Sequence, residues 1–433
     1  MTSLETSTPK VSSARWLQLL FGLIVMMAIS SPQYVWTLFT GPLAENLEAS
    51  RAQLQVTFSI LIVLQTFLSP VQGYLVDKFG PKLLISAGAA LSGLGWVLAS
   101  NVTSLGGLYL TYGLFCGVGT GIVYIGCVGL MVRWFPDMRG FAVGMVAAGY
   151  GFGAVLTTFP IANSLKANGL STTLTTYGII LGIVGVAAAL GMRLPKPGQV
   201  PEVAEKPETA RVFQTVRDYA PREMLREPLF WLLYVMMMMM STCGLMVISQ
   251  MADFAHDYGV ADKLVWGMAA LPLALTLDRV TNGVTRPFFG WVSDNIGREA
   301  TMFIAFALEG IGMTVWLIYA HNPLIFVLLS AIVFFGWGEI FSLFPSTLTD
   351  TFGTKHASAN YGFLYTSQGV GSILGGPIAA VILGITESWA VVFGIVIALN
   401  FVTAFLAWFV LKPMRIKHAQ RNRADRDAAL AAG

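Results

Sequence analysis

Twelve long apolar stretches recur along this chain, at about 16–40, 53–75, 82–100, 105–131, 139–163, 173–193, 228–254, 264–291, 300–320, 324–348, 359–383 and 388–411. A helix rises 1.5 Å per residue, so ~20 apolar residues cover the ~30 Å of hydrocarbon in a bilayer. In lipid the backbone must satisfy its own hydrogen bonds, so each stretch is predicted to be helical. Composition points the same way. The chain is 55% hydrophobic and 11% charged, with mean hydropathy +0.68, whereas an ordinary soluble domain is roughly 25% charged. A soluble enzyme and a disordered chain are excluded. The expected fold class is an all-α membrane protein with 12 transmembrane helices.

The long polar connection at 194–227 holds Pro195, Pro197, Pro201, Pro207 and Pro221 with mixed charge. It divides the chain into six-span halves, 16–193 and 228–411, flanked by polar tails 1–15 and 412–433. Lysine and arginine in loops report orientation. With the N-terminus in the cytoplasm, 21 of the 26 basic residues fall on that side, including Lys10, Lys206 and Arg211. Three (Arg51, Lys166, Lys263) fall opposite, and two (Arg279, Arg286) lie inside a span. Both termini are therefore expected to be cytoplasmic. The first apolar stretch has no small-residue cleavage site after it, so it reads as a span and not as a leader.

The net charge of +3 is too small to argue for nucleic acid. Cys116, Cys127 and Cys243 lie inside apolar stretches, as small core residues and not a disulfide framework. The run Met236–Met240 reads as adaptable packing. No H-E-x-x-H or similar cluster occurs, so no metal and no cofactor are expected. No nucleophile–base constellation occurs either, so the chain is not expected to be an enzyme.

The second half repeats the first at an offset of 217 residues. Gly73-Tyr-Leu-Val-Asp77-Lys-Phe-Gly80 matches Gly290-Trp-Val-Ser-Asp294-Asn-Ile-Gly297, followed by Arg298. Pro70 matches Pro287, Phe135 matches Phe352, and Pro160 matches Pro377. Parallel repeats of this kind are related by a pseudo-two-fold axis along the membrane normal and place a substrate path between the halves. The duplicated G-x-x-x-D-x-x-G loop resembles motif A of the major facilitator superfamily, and that resemblance implies the major facilitator fold. The glycines let helices approach closely. Asp77 and Asp294 are placed to cap a neighbouring helix N-terminus or to pair with a loop arginine, as gating latches.

Ionisable groups inside a span are expensive and are functional candidates by default. Five stand out: Asp278, Arg279, Arg286, Glu309 and Glu339. Arg286 sits mid-span before Pro287, and its repeat counterpart is Ser69, so its charge is not part of the duplication. A guanidinium offers a planar fork of donors that matches a carboxylate. Arg286 is read as an anion-binding arginine, against the alternative of an ion pair with Glu309 or Glu339. Arg279 lies two turns earlier on the same face, near Asn282, as a second anion contact or, preferred, as the ion-pair partner of Glu339 or Glu309. Asp278 is expected to pack toward another helix. Glu339, in Gly336-Trp337-Gly338-Glu339, is the candidate proton carrier, with Asp278 second. Mid-span Gln33, Tyr34, Tyr124 and Tyr150, with Tyr361, Tyr365 and Gln368 of span 11, are candidates for a cavity wall.

Longer segments narrow the resemblance. Gln33-Tyr34-Val-Trp36-Thr-Leu, Arg133-Trp-Phe-Pro-Asp137-Met-Arg139-Gly, Arg286-Pro-Phe-Phe-Gly-Trp-Val-Ser-Asp294, Leu343-Phe-Pro-Ser346 and Asn360-Tyr-Gly-Phe are similar to the oxalate:formate antiporter branch, itself related to monocarboxylate transporters. The resemblance runs over nearly the whole chain outside the tails and linker. It implies a span 8 substrate arginine at Arg286 and a Gln-Tyr pair at Gln33 and Tyr34. It further implies cavity tyrosines at Tyr124 and Tyr150 and a span 10 tryptophan at Trp337. Three positions depart from that pattern. Gln368 stands where the branch has a lysine, Phe341 where it has a tyrosine, and Asn282 at the acidic place of the monocarboxylate transporters. Two carboxylates in a dry cavity call for two fixed cations, so the loss of one disfavours a dianion unless Arg279 replaces it.

The expected function is secondary transport of small organic carboxylates across a bacterial inner membrane, by a monomer, through anion exchange. The competing coupling is proton symport through Glu339. A non-transporting sensor of the same fold would be expected to carry a large soluble domain, and only about twenty residues follow the last span. An exporter of cationic drugs is disfavoured by Arg286.

Overall fold

The computed structural model describes residues 13–201, 212–215 and 217–432; Lys10, Lys206, Pro207 and Arg211, used above, lie outside the described residues. Every apolar stretch is helical, and the breaks fall where the local chemistry calls for them. The first span is α1 (Ala14–Ala28), a short turn α2 (Ser31–Tyr34) and α3 (Trp36–Leu47). Pro32 sits in the first turn of α2, where its missing N–H is tolerated. The second span is α4 (Arg51–Phe67) followed by α5 (Ser69–Phe79), bent by 52° at Leu68 just before Pro70. Ser50 and Gln53 form a reciprocal capping box that starts α4. The third span is α6 (Pro81–Ala99). The fourth joins α7 (Leu105–Leu108), a π-helical turn at Tyr109–Phe115, and α8 (Cys116–Trp134).

Helix α9 (Arg139–Leu190) runs for 52 residues and is interrupted at Gly169, where φ is 75°. A straight helix of that length would reach about 78 Å, more than twice the hydrocarbon thickness. It folds back instead. Gly22 of α1 packs against Val146, and the neighbouring Phe21 packs against Gly191 beyond the far end of α9. Only a residue that accepts a positive φ permits that reversal. Spans five and six are therefore the two arms of α9.

The linker contains the short α10 (Pro221–Met224). The second half comprises α11 (Pro228–Asp257), α12 (Ala270–Ile296), α13 (Arg298–Tyr319), α14 (Pro323–Trp337) with α15 (Ile340–Phe352), α16 (Ala357–Thr386) and α17 (Trp389–Phe405). A π-helical turn at Leu406–Leu411 leads into a polar helix α18 (Lys412–Ala432). Two boundaries differ from expectation. Residues 264–269 form a small hairpin, β1 (Leu264–Val265) with β2 (Met268–Ala269), so span eight begins at Ala270. Trp266 and Gly267 take positive φ at its turn. The C-terminal tail continues as a helix, with Pro413 at its second position, in the first turn, where its missing N–H is tolerated.

Among the described residues, nine helices are long and apolar enough to cross a bilayer, and the bent pair α4–α5 makes a tenth. The second arm of α9 and the charge-bearing α12 complete twelve crossings. The halves meet along α5 with α16 and α9 with α12. Glycine makes this possible. A methyl on Gly73 would fall on the Ser358 backbone, one on Gly140 on Gly290, and one on Gly144 on the Arg286 carbonyl.

Candidate functional site

At the end of the bundle that carries the linker, the two motif A loops do the same job in mirrored places. Asp294 accepts from the backbone N–H groups of Gly140 (3.0 Å) and Phe141 (2.8 Å), capping α9 of the first half. Asp77 accepts from the Ala359 N–H (2.9 Å), capping α16 of the second half, and pairs with Arg133 at 2.6 Å. A carboxylate suits an orphan helix N-terminus by hydrogen bonding and by the helix dipole. Arg298 bonds Asp294 at 2.7 Å and Asp350 at 2.8 Å, and Arg139 reaches the other oxygen of Asp350 at 2.6 Å. Gly80 and Gly297 take φ of 90° and 104°, turning the chain from one helix into the next. At this end the halves are held shut.

Further in, Arg286 projects from α12 between the halves and is 3% exposed. One terminal nitrogen donates to the Ala147 carbonyl of α9 (2.8 Å) and the other to the Asn282 side-chain oxygen (2.9 Å). The guanidinium lies 4.5 Å from the centre of the Phe341 ring, and Nε is buried without a partner. The ion pair with Glu309 or Glu339 does not form.

Five tyrosines form a continuous cluster, three of which, Tyr124, Tyr361 and Tyr365, lie within reach of the Arg286 charge. Ring centres are 5.4 Å apart for Tyr34 and Tyr150, 5.5 Å for Tyr124 and Tyr150, 5.0 Å for Tyr124 and Tyr365, and 5.6 Å for Tyr361 and Tyr365. The Tyr150 hydroxyl donates to Gln33 at 2.5 Å, which orients that pair. The hydroxyls of Tyr124 and Tyr361 face each other, whereas Arg286 Nε and the Asn282 amide nitrogen beside it are buried without protein partners. A buried polar group without a partner is unfavourable by about 1–3 kcal/mol, so these donors are costly as they stand.

Not every expected residue reaches this place. Trp337 turns toward α11, where its indole N–H donates to the Met240 carbonyl (2.9 Å), and it faces the arginine only through Phe341, 5.8 Å away. Its only donor is therefore occupied. Arg279 is exposed and makes no ion pair, so the preferred pairing with Glu339 or Glu309 is absent. The reason is rotational. Arg279 shares the Arg286 face of α12, whereas Glu309 packs against Gly336 within the second half. Glu309 and Glu339 are 1% and 0% exposed, and like Asp278 they have no paired cation among the described residues; the neutral Asn400 lies beside Glu309 and the neutral Ser330 beside Asp278.

One residue was missed. Gln65 of α4 reaches the Tyr365 hydroxyl at 3.4 Å, and its own oxygen is unpartnered. An amide in the middle of an apolar span, the signal that singled out Gln33, marks it too. Phe341, noted above only as a lost hydroxyl, proves to be the ring against the guanidinium.

Residues 19–277 and 254–432 each match the family description of the Major Facilitator Superfamily. The chain belongs to the Major Facilitator Superfamily. Among curated relatives, this superfamily member is 36% identical to the oxalate:formate antiporter of Oxalobacter formigenes over 402 residues, covering 92% of each chain. It is 30% identical to the uncharacterized MFS-type transporter YhjX of Escherichia coli, covering 83% of this chain and 86% of that one. It is 25% identical to monocarboxylate transporter 13 of Bos taurus, covering 80% and 77%. Among solved structures, the proton:xylose symporter XylE superposes with a TM-score of 0.66 at 13% identity, covering 92% of this chain and 96% of that one, a likeness of fold. The chain is thus a multi-pass membrane protein of a transporter family.

Proposed function

We propose that this protein is a secondary transporter of small organic carboxylate anions that works by alternating access and anion exchange. The observation that carries the reading is Arg286. It is a buried cation whose protein partners are neutral, with Nε still free. Leaving such a charge uncompensated is costly, and a carboxylate is the ligand that matches a guanidinium fork. The names of two relatives, an oxalate:formate antiporter and a monocarboxylate transporter, point to the same substrate class. Gln33, Tyr34, Tyr124, Tyr150, Tyr365, Gln368 and Asn282 would shape the cavity, with Gln65 and Phe341 added. The protein would sit as a monomer in the bacterial plasma membrane with the linker end cytoplasmic, the side to which most lysines and arginines assign.

A second coupling is favoured by one observation. Glu309 and Glu339 are buried with no cation beside them, and a carboxyl in that setting is a natural proton carrier for symport. Uptake of labelled oxalate, formate and lactate into proteoliposomes separates the readings. Exchange predicts uptake only into anion-loaded vesicles, indifferent to a proton gradient. Uptake into empty vesicles driven by an inward proton gradient would replace exchange with symport through Glu339. No uptake of any of the three under either condition would sink the carboxylate reading.

A further inference from the structure

The central linker lies on the closed end of the bundle, and its side chains are bonded into it. The Thr215 N–H donates to the Asp350 carbonyl (2.9 Å), and the Tyr219 N–H donates to the Phe352 carbonyl (2.9 Å), so this stretch is laid along the end of α15. Asn360 donates to the Tyr219 carbonyl at 3.0 Å, and the Tyr219 hydroxyl donates to Asn422 of α18 at 2.6 Å. Gln214 reaches across to the Pro136 carbonyl of the first half at 2.8 Å.

Asp218 holds the decisive place. One carboxylate oxygen accepts from the backbone N–H groups of Thr354 (2.8 Å) and Lys355 (2.9 Å), in the turn between α15 and α16. The carbonyls of the same two residues are taken from the other side by Arg133 of the first half, at 3.0 Å and 2.9 Å. Arg133 also binds Asp77, which caps α16 a few residues on. Gly353 leaves room for this arrangement. Its φ is 86°, and a methyl there would collide with the Asp218 carboxylate. A turn that presents two carbonyls to one guanidinium is held more firmly when its N–H groups have a fixed protein acceptor and do not exchange among waters. Asp218 supplies that partner, and its negative charge strengthens both bonds.

We propose that Asp218 is a positioning residue of the gate. It fixes the Thr354–Lys355 backbone so that Arg133 can grip it, and the linker end is stable in its closed form only while the linker is seated. This rests on the alternating-access reading above. Sequence alone hides the role, because an aspartate in a polar, proline-rich linker looks like a solvated charge.

The test uses the full-length protein in lipid nanodiscs with Ser358→Cys as reporter. Ser358 is buried at the closed end against Gly73 and Gly129, and the native cysteines are buried. Its reaction rate with a water-soluble maleimide reads how often this end opens. Arg133→Ala should raise the rate, which establishes that Arg133 holds the gate. Asp218→Ala should raise it about fivefold or more, in the range of ordinary conformational couplings. In the Arg133→Ala background Asp218→Ala should add nothing, because it acts through that arginine. Asp218→Asn, which keeps an acceptor oxygen, should restore most of the slow rate. Gly353→Ala, whose methyl would crowd the Asp218 carboxylate and the Arg217–Asp218 backbone, unseats this stretch from the turn side and should mimic Asp218→Ala if the latter fails to insert. An Asp218→Ala rate equal to that of the parent, or an effect additive with Arg133→Ala, overturns the proposal. An Arg133→Ala rate equal to that of the parent overturns it as well, and with it the gate reading on which it stands.

Discussion

Arg286 and Arg298 are both buried arginines, and their surroundings separate their roles. Arg298 shares the Asp350 carboxylate with Arg139, so its charge is balanced within the protein. Arg286 has a carbonyl, an amide oxygen and an aromatic ring but no carboxylate. Removing Arg298 would strand Asp350 in part and is expected to destabilise the fold. Removing Arg286 strands no charge, only two neutral acceptors at Ala147 and Asn282. Arg286→Gln is therefore expected to keep the wild-type melting temperature in detergent while transport falls about 100-fold or more, the usual consequence of deleting one partner of a buried charge pair with ligand. Melting with and without added carboxylate checks both halves of that statement. Added anion should raise the melting temperature of the parent and leave the variant unmoved. A variant that melts much lower without ligand would recast Arg286 as a structural residue.

At the scale of helices, the packing of α9 on α12 sets where Arg286 points. Gly144 of α9 lies under the Arg286 carbonyl, and Ala147, one turn on, receives its guanidinium. Gly144→Val would force these helices apart without touching a polar group. Transport is expected to fall as far as in Arg286→Gln, with each half still folded, and proteolysis at the linker would show two intact fragments. Helix α18 carries a second expectation. His418 is tucked against Tyr219 and Phe352 outside the spans. Burial pushes its imidazole down to about 4, with Glu227 pulling the other way. The docked helix thus holds it neutral, whereas an undocked histidine takes a proton below its ordinary value of 6.5. Docking is at full strength above pH 6.5 and weakens as pH falls toward 4. Amide exchange in α18 should quicken over that window, and His418→Phe should abolish the dependence.

At the scale of the whole molecule, mirrored contacts join the two halves at the linker end. Asp77→Ala and Asp294→Ala each remove a cap between the halves, and caps of this kind contribute about 0.5–2 kcal/mol. Each variant is expected to move the balance toward opening at the linker end by about 2- to 30-fold, read as reactivity of a cysteine at Ser358. The two aspartates cap different helices, Asp77 at α16 and Asp294 at α9, so their effects should add. A strongly non-additive pair would mean that the two latches form one cooperative lock.

Much of this organisation is legible one residue at a time. Twelve crossings, the repeat at 217 residues and the isolated charge of Arg286 follow from hydropathy, offset and the expense of an ion in lipid, which are properties of the chain itself. The partners of the buried charges are not. Whether Arg279 meets Glu309 depends on how α12 and α13 are rotated about their axes, and a rotation of one residue, 100°, changes every neighbour. Trp337 turned to α11, Phe341 came under the guanidinium, and Gln65 joined the tyrosines for the same reason. Asp218 is the clearest case. Its partners lie more than 130 residues away in a turn, and no local pattern announces a bond closed only when linker, turn and opposite half meet. Composition and periodicity settled that the chain spans a membrane as two six-helix halves. Tertiary packing alone decided which charges are balanced within the protein, as Arg298 is, and which, like Arg286, are buried among neutral partners.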